Sequence, residues 1–186
     1  SSIVNNQRPS SRVSQAKKSR ILLINAAAAA FYEKCLVSRP SAGIARTHLR
    51  ARGFLPATIK AFGVGYAPDA YFGSRQESQI WGQGSLVEYL TERGFTTADI
   101  LDAGLATVLK KDLKENQPDE HPNSEMQTSP SSLIDRFRGR LVVPIMDESG
   151  SQVLGFGGRI LEDSTDNRAG SSSSTSSSFP QPKYLN

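Results

Sequence analysis

Cysteine and histidine are scarce in this chain, which has one cysteine and two histidines among its 186 residues. A structural zinc site needs more such ligands than Cys35, His48 and His121 supply, and a single cysteine excludes an internal disulfide. Cys35 stands beside Leu36 in an apolar stretch, which predicts a small core residue. His48 stands among arginines, which predicts a solvated surface position.

Long apolar runs are also missing. Residues 21–30 form an apolar run of only ten residues that includes Asn25, whereas a helix that crosses a bilayer needs about 20. The sequence therefore predicts no membrane span and no membrane partner.

Three segments have too little apolar surface to contribute to a core. Residues 1–20 carry five lysines and arginines and no acid, residues 112–132 are polar with prolines, and residues 163–181 hold a serine run. We predict disorder in all three. The first is interpreted as a basic tail or linker, with a phosphate-attracting arm and an organellar transit peptide as alternatives. The tail accounts for the positive net charge, since the rest of the chain is at about −1.

The clearest strand signal lies in the last third of the chain. Residues 141–146 are apolar and β-branched, residues 147–150 read as a turn, and residues 152–156 read as a returning strand. This pattern predicts an antiparallel hairpin. Its nearly continuous apolar character predicts that both faces are covered, and Pro144 predicts an edge position or a bulge.

Basic residues and glycines surround this hairpin. Arg-Phe-Arg-Gly-Arg precedes it at 136–140, Gly-Phe-Gly-Gly-Arg ends it at 155–159, and Pro-Lys-Tyr-Leu-Asn follows at 182–186. Glycines remove side chains where a backbone or ligand approaches closely, so a phosphate would fit beside Arg159. A bulge or barrel corner with solvated arginines is the alternative interpretation.

The middle of the chain contains an internal repeat. Residues 52–54 and 93–95 both read Arg-Gly-Phe, and each copy is followed by isoleucine and glycine at the same spacing. Each copy predicts a helix that stops at glycine and a second short helix that does the same. Capping-box spacing marks two helix starts, at Ser85 with Glu88 and at Thr96 with Asp99.

Taken in order, these blocks resemble the amino-terminal half of the catalytic core of bacterial-type DNA primases, which synthesise RNA primers. The blocks that carry the resemblance are 26–36, 45–54, 59–68, 136–140 with the following Val-Pro-Ile, 155–159 and 182–186. The resemblance implies an α+β fold, with a helical amino-terminal portion packed on a small antiparallel sheet. Residues 21–186 would form this subdomain, with the inserts at 112–132 and 163–181.

The resemblance also implies a nucleic-acid-binding surface. In the family, the residues that match Arg52, Arg159 and Lys183 lie in a basic groove that guides single-stranded template and growing primer. Alternation along a strand would send the arginines of 136–140 to one face, and a structural salt bridge is the alternative for at least one of them. The implied set is Arg52, Arg136, Arg138, Arg140, Arg159, Lys183, Tyr184 and Asn186.

No catalytic or metal-binding residue is expected in this chain. The family places its Mg²⁺ or Mn²⁺ ligands in a following Toprim domain, and this sequence contains no Asp-x-Asp pair. The resemblance implies single-stranded DNA template and RNA primer as partners, and a replicative helicase through regions missing here. We therefore expect part of a primase that is inactive as this chain alone.

Two other functions remain open at this point. One is a stand-alone, non-catalytic single-stranded nucleic-acid-binding protein, and the other is part of a primase-helicase of the phage or mitochondrial type. Serine-rich inserts are typical of a eukaryotic host, which favours an intracellular protein of a plastid or mitochondrion.

Overall fold

The computed structural model describes residues 9–69, 84–108, 133–161 and 182–186, so both predicted inserts lie outside the described residues. The helices are α1 (Pro9–Ser38), α2 (Gly43–Ala51), α3 (Pro56–Ala61), α4 (Leu86–Thr91) and α5 (Thr97–Asp102). A 3₁₀ turn spans Pro40–Ala42. The strands are β1 (Gly65–Ala67), β2 (Ala106–Val108), β3 (Leu133–Asp135), β4 (Arg140–Met146), β5 (Val153–Ile160) and β6 (Tyr184–Leu185).

Helix α1 begins well before the predicted boundary. Residues 9–20 are helical, so the prediction of a disordered tail is wrong for them. Two of their basic side chains have acidic partners on α5, because Lys17 Nζ lies 2.8 Å from Asp102 Oδ2 and Arg20 Nε lies 3.2 Å from Asp99 Oδ2. The composition of the segment alone does not reveal partners that lie far along the chain.

Helix α1 contains a longer apolar segment than the ten-residue run in the sequence predicts. Its portion Ser14–Ser38 is long and apolar enough, by length and composition, to cross a membrane. The helix also supplies Ile24, Ala28 and Tyr32 to the core, where all three are fully or almost fully buried. Packing inside the fold therefore accounts for its apolar face.

A four-stranded antiparallel sheet in the order β1-β4-β5-β6 forms the centre of the fold, and β2 pairs with β3 separately. The predicted hairpin is confirmed as β4 and β5. Strand β1 pairs with β4 only as far as Val142, which leaves Pro144 on an edge among the described strands, and the register shifts after Ile145. Both features agree with the prediction made from Pro144.

The two faces of this hairpin are not both covered as predicted. Val143, Ile145 and Leu154 are 41%, 48% and 51% exposed. Val142 and Phe156 lie on the face opposite Val143 and are buried against the described helices. A continuous apolar run therefore did not indicate burial over its whole length.

Helices pack against both faces of the sheet. On one face, Tyr32 of α1 packs edge-on against Phe156, with ring centres 5.4 Å apart. On the other face, Leu49 of α2 clusters with Tyr66 of β1 and Leu141 of β4. Cys35 is buried in the first cluster, as predicted. The fold is therefore mixed helix and antiparallel sheet, in agreement with the predicted class.

The internal repeat is confirmed in structure. Gly53 and Gly94 have φ of 77° and 78° and follow α2 and α4, respectively, in the left-handed region that favours glycine. Thr96 and Asp99 form a complete capping box at α5. At α4, the Ser85 side chain accepts from the Glu88 N–H at 3.1 Å. Local sequence signals were sufficient to place these helix ends.

A buried carboxylate fixes the start of α4 to the smaller sheet. The backbone N–H groups of Leu86 and Val87 donate to the Asp135 carboxylate at 2.7 and 3.1 Å. Burial raises the pKa of Asp135 to about 6, although these hydrogen bonds oppose the change. This contact joins segments that are nearly 50 residues apart in the chain.

Candidate nucleic-acid interface

Strands β5 and β6 place Arg159 next to Tyr184. The two residues are direct partners in the antiparallel register, and Leu141 of β4 is the partner of Arg159 on its other side. Directly opposed residues share one face of a sheet. The Arg159 guanidinium carbon lies 5.9 Å from the centre of the Tyr184 ring, which is 65% exposed. The sheet face that carries Leu141 therefore also carries the Arg159 cation and, beside it, the exposed ring of Tyr184.

Helix α2 packs on this same face through Leu49 and brings a second arginine to it. The helix ends at Ala51, and the backbone N–H of the next residue, Arg52, donates to the His48 carbonyl at 3.1 Å. Burial lowers the pKa of His48, and the positive charges of Arg159 and Arg52 lower it further. Arg52 and Arg159 thus both act electrostatically on His48, although the two arginines are 107 positions apart.

His48 is half-buried, so the surface position predicted for it is confirmed in part, although the residue is not fully solvated. It is also the member of the cluster that motif reasoning missed. A signal was present in the sequence, because His48 and Arg52 are spaced so that they lie on one side of a helix.

Arg159 retains unused hydrogen-bonding capacity. Its Nε is buried and has no hydrogen-bond partner among the residues that the structure describes. Buried donors are usually paired, and an arginine offers several donors in a planar fork that matches phosphate oxygens. Because the Arg159 side chain as a whole is only half-buried, its terminal guanidinium nitrogens can donate to an anionic ligand at this face.

The three arginines of 136–140 do not share a face, contrary to the expectation from strand alternation. Residues 136–139 form a turn between β3 and β4, and only Arg140 belongs to a strand. Arg136 is exposed, Arg138 is half-buried, and Arg140 is only 2% exposed. The turn rotates successive side chains in a way that a strand would not.

Two of these arginines hold the backbone that carries the final motif. Arg140 Nη1 donates to the Lys183 carbonyl at 3.4 Å, and Arg136 Nη2 donates to the Asn186 carbonyl at 2.8 Å. Arg138 instead donates to the Asp135 carbonyl at 3.3 Å. The structure therefore gives Arg136 and Arg140 contacts that position β6. The Lys183 side chain is exposed beside Tyr184.

The glycines of β5 differ in what surrounds them. A Cβ on Gly158 would come within 2.6 Å of the buried Phe137 ring, whereas a Cβ on Gly155 or Gly157 would meet nothing within 4 Å. Alternation places Gly155 and Gly157 on the face of Arg159. A strip of backbone without side chains therefore leads along β5 to Arg159.

The described residues do not fit a catalytic metal. Among them, no group of three or more histidine, cysteine, aspartate or glutamate side chains is placed to hold an ion. The arrangement can bind and orient an anionic ligand through its cations and its aromatic ring.

Comparison with known proteins relates this arrangement to one family. The family model described as "DNA primase catalytic core, N-terminal domain" matches residues 83–186. The DNA primase of Deinococcus radiodurans is 33% identical over 144 residues, which cover 77% of this chain and 17% of the relative. The DNA primase of Streptomyces coelicolor is 32% identical over 169 residues, which cover 90% of this chain and 19% of the relative.

A solved structure agrees with these relatives. The RNA polymerase domain of Mycobacterium tuberculosis primase DnaG, in complex with a double-stranded DNA oligomer with a 6-nucleotide overhang, is 30% identical with a TM-score of 0.57. The match covers 90% of this chain and 37% of that one. This chain thus spans less than a quarter of the curated relatives described above. The resemblance read from the sequence blocks is confirmed, and the chain belongs to the family of the DNA primase catalytic core, N-terminal domain.

Proposed function

We propose that this chain is the template- and primer-binding half of a DNA primase, an enzyme that makes RNA primers for DNA replication. Arg52, Arg159 and Lys183 bind phosphates of single-stranded template and primer, and Tyr184 borders the same path. The observation that carries the proposal is the register of β5 and β6, which places Arg159 beside the exposed Tyr184 on the sheet face against which α2, followed by Arg52, packs.

The chemistry of this face suits a polynucleotide. Guanidinium groups form short charge-assisted hydrogen bonds with phosphate oxygens. An exposed aromatic ring stacks on bases, which contributes about 1 to 3 kcal/mol per base in single-strand binding proteins. The similar Mycobacterium tuberculosis domain has been captured with a DNA oligomer that carries a single-stranded overhang, which supports the same ligand class here.

The eight residues implied by the resemblance divide into side chains that bind ligand and residues that position the backbone. Arg52, Arg159, Lys183 and Tyr184 present side chains toward ligand. Arg136, Arg140 and Asn186 act by holding β6 in place, because the hydrogen bonds of both arginines go to its flanking carbonyls. Arg138 contacts the carbonyl of Asp135 and supports the turn.

Metal chemistry belongs, in this proposal, to a Toprim domain of the longer protein, which would bind Mg²⁺ or Mn²⁺. When bound there, the metal supplies charge neutralisation at the nucleotide phosphates. The residues of this chain bind and orient the strand. A replicative helicase would be contacted through other regions of that protein.

The test is primer synthesis by the longer protein on a single-stranded template. Lys183→Ala and Arg159→Ala should each raise the KM for template by about tenfold or more, because a hydrogen bond to a charged group contributes about 1.5 to 3 kcal/mol. Lys18→Ala removes an exposed lysine on α1 and is the matched control. Unchanged KM values in both cluster variants would contradict the assigned roles.

A non-catalytic single-strand-binding protein is the second candidate, since the arginine and the exposed ring of this face bind a strand without a metal. It predicts binding of single-stranded DNA by the longer protein without metal-dependent synthesis. Template-directed RNA product in the presence of Mg²⁺ or Mn²⁺ would eliminate it.

A further inference from the structure

We propose that His48 is a third phosphate-binding group of this cluster, neutral in the free protein and protonated when a backbone phosphate binds between Arg52 and Arg159. The inference rests on the proposed function and adds that His48 takes up a proton when the strand binds. Binding of the strand thereby becomes dependent on pH through one residue.

The position of His48 supports the assignment. It precedes Arg52 by one helical turn, so both side chains lie on the same side of α2. The intervening Leu49 anchors the helix on the sheet face from which Arg159 emerges. His48 is half-buried there. An imidazole in this position lies at the edge of the face to which a phosphate would bind.

The charged groups that act on the imidazole are both cationic. They are Arg52, from the end of its own helix, and Arg159, from β5. On the next strand, β6, Tyr184 contacts Arg159 and the adjacent Lys183 is exposed. An additional positive charge at His48 is therefore unfavourable as long as the cluster holds no anion.

A bound phosphate reverses this balance. Its negative charge offsets the two guanidinium groups and favours an imidazolium that donates to a remaining phosphate oxygen. The pKa of His48 starts below 6.5 in the free protein, held down by burial and then by Arg159 and Arg52. In the complex the phosphate raises this pKa, so the complex holds more protons than its components.

The sign of the pH dependence follows from this difference. Affinity rises as the pH falls through the pKa of the complex, and the gain is complete below the pKa of the free protein. Uptake of a single proton limits the effect to about tenfold per pH unit inside that window. Outside the window the affinity contributed by His48 is constant.

The first experiment measures the dissociation constant of an oligothymidylate without terminal phosphate, since its phosphodiesters do not titrate between pH 5.5 and 8.5. Ionic strength is held constant, and circular dichroism verifies the fold at each pH. Wild type should bind several-fold more tightly at the acid end of the range. His48→Gln should lose most of this gain, and His121→Gln, the control at the other histidine, should keep it.

The second experiment follows the His48 imidazole by NMR titration in the free protein and in the complex. The His121→Gln variant leaves His48 as the only histidine and assigns its signal. We expect the midpoint to move to higher pH when the oligonucleotide binds. An unmoved midpoint, or a His48→Gln variant with the pH dependence of wild type, would overturn the proposal.

The variants of the arginines separate this inference from the function on which it rests. If Arg52→Ala and Arg159→Ala both bind as tightly as wild type, the proposed function fails at this face. If they weaken binding while His48→Gln leaves the pH profile unchanged, the function stands and only the role of His48 is wrong.

Discussion

Arg159 and Tyr184 face each other across β5 and β6, with the guanidinium carbon 5.9 Å from the centre of the ring. The ring covers one side of a cation whose Nε has no hydrogen-bond partner among the described residues. The pair therefore joins two motifs that lie 25 positions apart in sequence.

Removal of the Tyr184 ring should weaken binding of single-stranded DNA. A cation–π contact at an exposed site is worth about 0.5 to 1 kcal/mol, so Tyr184→Ala should raise the dissociation constant about two- to fivefold, and more if a base stacks on the ring. Tyr184→Phe retains the ring and should bind like wild type. Fluorescence anisotropy with a labelled oligonucleotide measures both, and equal affinities for the alanine variant and wild type would refute the contribution.

Neighbouring glycines on β5 should differ sharply in their tolerance of alanine. A Cβ at Gly158 would lie 2.6 Å from Phe137 Cδ1, whereas a Cβ at Gly157 would meet nothing within 4 Å. Overpacking costs about 1 to 3 kcal/mol, so Gly158→Ala should lower the free energy of unfolding by that amount. Gly157→Ala should change it by less than about 0.5 kcal/mol. Urea denaturation measures the free energy of unfolding of the two variants, and equal midpoints would contradict the close packing of Gly158 against Phe137.

The carboxyl group of Asp135 should make stability depend on pH. Its pKa is about 6 in the folded protein, raised mainly by burial from an ordinary value of 3.8. The folded state thus binds more protons between these values, and the stabilisation is complete below pH 3.8 and lost as the pH rises through 6.

Asp135→Asn removes this titration and provides the comparison. Since one pKa unit corresponds to about 1.4 kcal/mol, the free energy of unfolding of wild type relative to the variant should fall by about 2 to 3 kcal/mol between pH 4 and pH 7. Urea denaturation at both pH values measures the difference. If the free energy of unfolding changed equally with pH in the two proteins, the Asp135 carboxyl would not have the raised pKa.

Cys35 should report unfolding through its reactivity. Burial raises the pKa of its thiol to about 11, although the nearby Arg39 partly opposes the increase. The thiolate is the reactive form, so Ellman's reagent at pH 8 should label the folded protein slowly and the protein in concentrated urea rapidly. Rapid labelling without denaturant would mean that the helix α1 opens locally at this position.

Features set by neighbouring residues could be predicted from the sequence. Left-handed glycines at 53 and 94, the capping box at Thr96 and the β4–β5 hairpin all depend on a few adjacent positions. Pro144 lies at an edge for the local reason that proline cannot donate to a strand partner.

Features set by distant partners could not be predicted in the same way. The basic residues Lys17 and Arg20 of α1 pair with acids on α5, and the buried Arg140 donates to the carbonyl of residue 183. The sequence neighbours of His48 predict a solvated position, whereas the structure half-buries it and adds the electrostatic influence of the distant Arg159. Tertiary contacts of this kind outweigh local composition.

The salt dependence of single-stranded DNA binding tests the central claim most directly. Each phosphate contact contributes about 0.7 to the slope of log affinity against log salt concentration. The triple variant Arg52→Ala, Arg159→Ala and Lys183→Ala should therefore bind more weakly and lose about 2 from that slope. A control triple with the same charge change, Lys18→Ala, Lys34→Ala and Arg93→Ala, alters exposed residues elsewhere and should keep the slope of wild type. Equal losses of slope in the two triples would contradict a phosphate-binding cluster at this face.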